Sequence, residues 1–457
     1  MENSSASKLV VVNTGWVYIG KVLSQLFSII AVILVIRKIP VEIYGNFNFL
    51  LTGIVIFNII AASPVVNVFN RFLPEIIENK EYSKLSKIIW VGFIVSSVAA
   101  ALLFVPLYVF KDSFASFFNI PNFNESIYHF SVFVIARFMQ LVMTSVLTSL
   151  LLHKYSSLVT VVISLIRSVL YVVYIDNITV NFLINVESIT SFLYFALALV
   201  FLVKYKNGLK HPATAPVKSP VTKKRVVKFG MYSSFNELGA GIVGQTSDFY
   251  IISAMSNLHS VGLYSFAYKL FDLIYKILPI KEFATVIRPI FFRKFSGQYH
   301  PGDLSDFYNF IVKTMLPVFG LPFIYFASLG MPIIEFVFDP KYMAAYAITV
   351  IILFSNIVEA VFYPTGLVMH LKERMDIALY SKSVVVFSIF GGIWAMKNFG
   401  ITGVALATVT GELIKNVFIF AMLKKPAKDQ IPAKYLAQLF FVVFNHFGYL
   451  LLSSALY

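Results

Sequence analysis

Long apolar runs alternate with short polar breaks along nearly the whole chain. The runs fall at residues 10–36, 44–68, 88–110, 127–150, 156–176, 184–204, 226–254, 264–287, 307–329, 344–370, 376–396, 401–423 and 435–457. Most reach the roughly 20 residues that a helix needs to cross the hydrocarbon of a bilayer. None shows the two-residue alternation of a barrel strand, so each run predicts a helix. The longest break, Lys204–Lys228, carries eight basic residues and no acid. Pro212, Pro216 and Pro220 keep it from being one long helix. About as much apolar sequence precedes it as follows it. The pattern therefore predicts an all-α polytopic membrane protein of two six-helix lobes, residues 1–204 and 226–423. A basic linker at 205–225 joins them, and a basic loop with a thirteenth hydrophobic helix follows at 424–457.

Composition supports lipid as the solvent. Of 457 residues, 58% are hydrophobic and 13% charged, with mean hydropathy +0.81; a soluble domain carries about 25% charged residues. The chain has no cysteine, which excludes disulfides and thiolate metal sites, and its seven histidines have no metal-ligand spacing. No cofactor is expected. The net charge of +15 would suggest nucleic acid in a soluble protein. Here the cations concentrate in alternate breaks, which sets orientation and implies no nucleic-acid partner. One set of breaks holds Lys8, then Arg71, Lys80, Lys84 and Lys87, then Lys154, the linker, Arg288, Arg293 and Lys294, then Lys372 and Arg374, then Lys424, Lys425, Lys428 and Lys434. The other holds only Arg37, Lys38, Lys111, Lys341 and Lys397. The first set is expected in the cytoplasm, together with the N-terminus. The opening MENSSASKLVVV leads into a run of full spanning length, so no cleavable signal is expected. The last run has Asn445 and His446 in its middle, and crossing and interfacial placement both fit it.

A repeat is visible at an offset of 220 positions: Gln25 falls on Gln245, Val41 on Val261, and Ile43-Tyr44 on Leu263-Tyr264. An even number of helices per lobe makes this a parallel repeat, related by an axis along the membrane normal.

Ionisable residues within spans are costly and tend to face a cavity or a partner. In the first lobe, Lys21, Arg137 and Arg167 lie near mid-span on polar stripes with helical spacing. Lys21 shares its stripe with Thr14, Gln25 and Ser28; Arg137 with Gln140, Thr144 and Thr148; Arg167 with Thr160, Ser164, Ser168 and Tyr171. Apart from Asp176, the last residue of span five, the only acid in a first-lobe span is Glu187, near the outer end of span six, so the three cations are expected to lack an acidic partner. An anionic substrate would supply one. In the second lobe, Glu237, Gly241, Gly244, Gln245 and Asp248 form one stripe, and Asn356, Glu359 and Tyr363 another. Lys269, Asp272 and Lys276 follow helical spacing, as do Glu412 and Lys415, and Lys313 lies about two turns into span nine. Lys269 and Lys313 join the candidate anion contacts. Asp248, Glu237 and Glu359 are candidates for binding a proton or sodium ion.

Several segments carry a family likeness. They are IPVEIYGNFNFL after span one, NRFLPE closing span two, KFGMYSSFNELGAGIVGQTSDFYIIS followed by SVGLYSFAYKL, and GITGVALATVTGELIKN in span twelve. In order and spacing the chain resembles the polysaccharide-transporter branch of the MOP flippase superfamily, which includes the Wzx-type O-antigen flippases. The resemblance implies two six-helix bundles in a V around a central cavity. It implies translocation of an undecaprenyl-pyrophosphate-linked oligosaccharide, an O-antigen or capsule repeat unit, across the bacterial inner membrane by ion-coupled alternating access. It also implies membrane lipids, a polysaccharide polymerase and a chain-length regulator as partners. The thirteenth helix departs from the twelve-helix form. Two other classes fit a polytopic chain. A multidrug exporter of the same superfamily is disfavoured by the cationic first lobe. A membrane-embedded polymerase or ligase would carry a large periplasmic loop, and no nucleophile–base set appears in this sequence.

Overall fold

The computed structural model describes residues 2–79, 81–208, 221–231, 245–278, 280–295, 300–372 and 374–424. They form helices joined by turns, and nine helical stretches among them are long and apolar enough to cross a membrane. The protein is an all-helical multi-pass membrane protein. It parts into two compact units, residues 1–242 and 243–457. The run at 435–457, most of the linker and the middle of span seven lie outside the described residues.

In the first unit the helices are α1 (Glu2–Lys38), α2 (Val41–Phe57), α3 (Ser63–Glu78), α4 (Tyr82–Val109), α5 (Lys111–Phe117), α6 (Phe123–Ser149), α7 (His153–Val173), α8 (Val180–Asn207) and α9 (223–231). Span two is longer than the expected 44–68 and is broken. A π-helical turn at Asn58–Ala62 separates α2 from α3. Pro64 follows it, has no N–H, and cannot continue the i→i−4 ladder, which forces the wider turn. Beyond the break α3 buries Val65, Phe69, Phe72 and Ile76 on one face while Asn70, Arg71 and Glu75 lie outside that stripe. Those polar residues made the segment read as a loop.

The first unit is built on neighbours that are not consecutive in sequence. α1 lies parallel to α7: Ser168 Oγ donates to the Phe27 carbonyl at 3.0 Å, and Lys154 Nζ lies 5.0 Å from the Trp16 ring. α6 lies parallel to α8, with Ser126 Oγ donating to Asn181 Oδ1 at 2.8 Å and His129 Nδ1 2.8 Å from Asn185 Oδ1. Between lipid-soluble helices, association depends on close packing rather than on exclusion of water. Gly20 shows this: a Cβ there would sit 2.7 Å from Ser157 Cβ and 3.3 Å from its Cα. Those atoms belong to or adjoin the backbone and cannot rotate away. Gly20→Leu should force α1 off α7, a strain of roughly 1–3 kcal/mol or more. The expected result is loss of folded protein in a detergent-stability assay; an unchanged melting profile would contradict this packing.

In the second unit the helices are α10 (Gln245–Met255), α11 (Leu258–Ile277), α12 (Ile280–Phe295), α13 (Pro301–Ile333), α14 (Tyr346–Leu371) and α15 (Met375–Lys424). The expected span 264–287 is here two helices. Leu278 is extended at φ −70°, ψ 139°, as the residue before a proline prefers to be. Asn58 and Leu278, which open the two breaks, stand 220 positions apart, the offset of the sequence repeat. Spans eleven and twelve are joined through Gly400 alone, at φ 62°, ψ −151°, a conformation that only glycine adopts without strain. α14 is the core helix of this unit, buried along most of its length and packed against α11, α13 and α15.

Candidate functional site

In the first unit the polar stripes of three helices meet on one turn of α8. Glu187, Thr190 and Ser191 follow i, i+3, i+4 spacing and so share a face. Thr190 and Ser191 are fully buried. From α6, Arg137 donates through Nη1 to Gln140 Oε1 at 2.8 Å, and the same oxygen accepts from Ser191 Oγ at 2.9 Å. From α7, Arg167 places Nε 3.1 Å from Glu187 Oε1, and its Nη2 donates to Thr190 Oγ1 at 3.4 Å. Tyr171, one turn beyond Arg167, donates to the same Glu187 oxygen at 2.9 Å. The Arg167 Nε–H is close to the carboxylate but is not aligned with it, and it has no hydrogen-bond partner. The contact is a charge pair held at an angle.

Arg167 is therefore not without an acid, contrary to the expectation from sequence. α7 and α8 run antiparallel, and the hairpin between them brings the two residues to one depth. Arg167 lies six residues before the end of α7 at Val173, and Glu187 lies seven after the start of α8 at Val180. Each is about 10 Å along its helix from the same end. Arg167 lies four residues past the middle of α7, and Arg137 sits at the centre of α6. Glu187, Thr190 and Ser191 were not picked out as one group from sequence, although their i, i+3, i+4 spacing was there to be read.

Lys21 and Gln25 lie on α1 and are half-buried. Ser24 Oγ donates to the Lys21 carbonyl at 3.1 Å. Arg167 adjoins Ser168, which bonds to Phe27, six residues past Lys21 and about 9 Å further along α1. Lys21 thus belongs to a different level from the two arginines.

In the second unit Asp248 is the centre of a hydroxyl cage. It is 3% exposed on α10. Its Oδ2 accepts from Tyr264 Oη at 2.7 Å and lies 3.5 Å from Tyr268 Oη. Thr408 Oγ1, from the second half of α15, lies 2.8 Å from Oδ1 and 2.9 Å from Oδ2. Among the described residues Asp248 has no ion-pair partner. Tyr264 and Tyr268 follow i, i+4 spacing on α11, and Glu412 lies one turn beyond Thr408. An oxygen-only donor set of one carboxylate and neutral hydroxyls suits a proton or a hard cation such as sodium. No group of three or more His, Cys, Asp or Glu residues with metal-site geometry occurs among the described residues. Sequence reading found Asp248 and missed Tyr264, Tyr268 and Thr408, since its partners sit on other helices.

The remaining second-unit candidates are spread out. Glu237 lies outside the described residues. Glu359 is exposed on α14, beside the buried Asn356 and half-buried Tyr363, whose Oδ1 and Oη have no hydrogen-bond partner. Lys269 is half-buried on α11, Lys313 is exposed on α13, and Asp272 pairs with Lys276 at 3.7 Å.

Comparison with curated proteins finds no match. Among solved structures the fold is similar to a lipid II flippase MurJ in an inward closed conformation, with TM-score 0.64, 16% identity, and coverage of 95% of this chain and 93% of that one. It is also similar to an inward-facing multidrug resistance MATE family transporter of the MOP superfamily, with TM-score 0.62, 14% identity, and coverage of 88% and 94%. A Vibrio cholerae MATE transporter, VcmN in the bent form, gives TM-score 0.54 at 12% identity, with coverage of 92% and 98%. Residues 10–295 match the family described as polysaccharide biosynthesis protein, and with well over half of its length in that match the chain belongs to this family.

Proposed function

We propose that the chain is a flippase that carries an undecaprenyl-pyrophosphate-linked oligosaccharide across the bacterial inner membrane by alternating access. The observation that carries this reading is the convergence of Arg137 and Arg167, from separate helices, on one buried turn of α8 with Glu187 as their only described acid. Two guanidinium forks at one depth suit a pyrophosphate, because each can make two parallel charge-assisted bonds. Lys21 and Gln25, at another level of the same unit, are suited to the sugars or to a later position of the same phosphates. The Asp248 cage is the coupling site for a proton or sodium ion. The substrate can shift the two conformations only through a difference in affinity, so an ion gradient biases the return. Membership of a polysaccharide biosynthesis family favours this reading over a drug exporter, a class that shares the fold.

Deleting the gene tests it. Surface polysaccharide should be lost, and single lipid-linked repeat units should accumulate on the cytoplasmic leaflet. Units that reach the outer leaflet but stay unpolymerised would point to a polymerase instead. Orientation is tested separately in this cysteine-free chain. Single cysteines at Ser219 and Asn177 should label from opposite sides, with Ser219 cytoplasmic; labelling of both from the periplasm would reverse the assignment.

A further inference from the structure

The described part of α9, residues 223–231, has one face fixed to the first unit and one face exposed. Its fixed face is well defined. Arg225 donates from Nη1 to Glu75 Oε1 at 2.9 Å and from Nη2 to Oε2 at 3.4 Å. Glu75 also pairs with Arg71 at 2.9 Å. Phe229 meets Phe72 edge-on at 5.6 Å, and both arginines lie within 6 Å of that ring, at 5.5 and 5.6 Å. At Gly230 a Cβ would come within 3.3 Å of Val68 Cγ2. The anchor is the end of α3, close to its turn into α4, where Glu75, Glu78, Glu81, Lys84 and Lys87 place the chain at the level of the membrane–water interface.

The other face is basic and apolar together. Lys223, Lys224 and Lys228 are exposed, and Val227 and Met231 are 49% and 58% exposed among them. Val227 and Met231 share one stripe at i, i+4, with the lysines on both flanks. A purely aqueous face has no use for the apolar stripe, and a hydrocarbon face would reject the lysines. The combination fits an interfacial helix, with side chains reaching into the acyl boundary and ammonium groups at the phosphates. The flanking linker adds further cations and no acid.

We propose that this exposed face of α9 binds the headgroups of anionic lipids, seating the end of the inter-lobe linker on the leaflet surface. The inference is independent of what the protein transports. Each lysine near an anionic leaflet contributes about fivefold to binding. The three together therefore set whether the face is occupied.

The test uses the full chain with single cysteines, Val227→Cys or Met231→Cys, labelled with an environment-sensitive fluorophore. The protein is reconstituted into vesicles of phosphatidylcholine alone, or of phosphatidylcholine with phosphatidylglycerol. Brominated acyl chains report contact with lipid, and aqueous iodide reports contact with water. Quenching by brominated lipid should be about twofold or more stronger in the anionic vesicles. The triple variant Lys223→Gln/Lys224→Gln/Lys228→Gln should fall to the phosphatidylcholine level, while Arg225 keeps the helix docked. Equal lipid quenching in both vesicle types would overturn the proposal. So would quenching by iodide alone, which means a water-facing surface, or by neither agent, which means cover by protein.

Discussion

Arg137→Ala should cut export of surface polysaccharide by about tenfold or more at matched protein levels, since charge-assisted hydrogen bonds contribute roughly 1.5–3 kcal/mol each. The variant should still fold. Arg137 gives its one described hydrogen bond to Gln140, and Gln140 Oε1 keeps the bond from Ser191 after the change. No described acid is left unpaired, and the cost of holding a charge in the span disappears. Arg137→Lys should give an intermediate defect, because a lysine presents a point charge in place of the fork. Arg167 should behave differently. Its removal takes from Glu187, with 13% of its side chain exposed, its one described ion-pair partner and leaves the hydrogen bond from Tyr171. An uncompensated buried charge costs about 3–5 kcal/mol. Arg167→Ala should therefore reduce the amount of folded protein, and Arg167→Ala/Glu187→Gln should restore it without restoring export. Export near wild-type in both Arg137→Ala and this double variant would make the cluster structural.

Asp248→Asn should uncouple transport from its ion. The exchange is nearly isosteric. The amide oxygen can still accept from Tyr264, and the amide nitrogen can donate to the hydroxyl oxygen of Thr408, which rotates to receive it. Folding should be kept for that reason. The ability to take up a proton or to charge-balance a sodium ion is lost. Transport should slow, and its dependence on pH or sodium should flatten. A variant with the wild-type rate and an unchanged ion response would rule Asp248 out.

The spans were legible because lipid imposes a long apolar run on every crossing, whatever surrounds it. Their breaks were less so. The π turn at Asn58–Ala62 and the extended Leu278 sit inside apolar runs and are marked by a single proline each, Pro64 and Pro279. Gly400 needs no loop residues at all, so two runs separated in sequence are one stretch divided by a single backbone angle. In the candidate site, Arg137 with Gln140 was readable because both lie on one helix. Arg167 with Glu187 was not, because their meeting depends on how far each lies from a shared hairpin. The Asp248 cage shows the same limit: its hydroxyl donors come from helices 16 and 160 residues away.

The central claim is that Arg137 of α6 and Arg167 of α7, which meet at one turn of α8, hold the pyrophosphate of a lipid-linked oligosaccharide. Binding of a soluble pyrophosphate-linked oligosaccharide analogue to the purified protein tests it most directly, with the same sugar on an uncharged linkage as reference. Wild type should prefer the pyrophosphate form, and Arg137→Ala should weaken that form by about tenfold or more while leaving the uncharged form unchanged. Equal affinity for both forms, or equal pyrophosphate affinity in wild type and Arg137→Ala, would contradict the account.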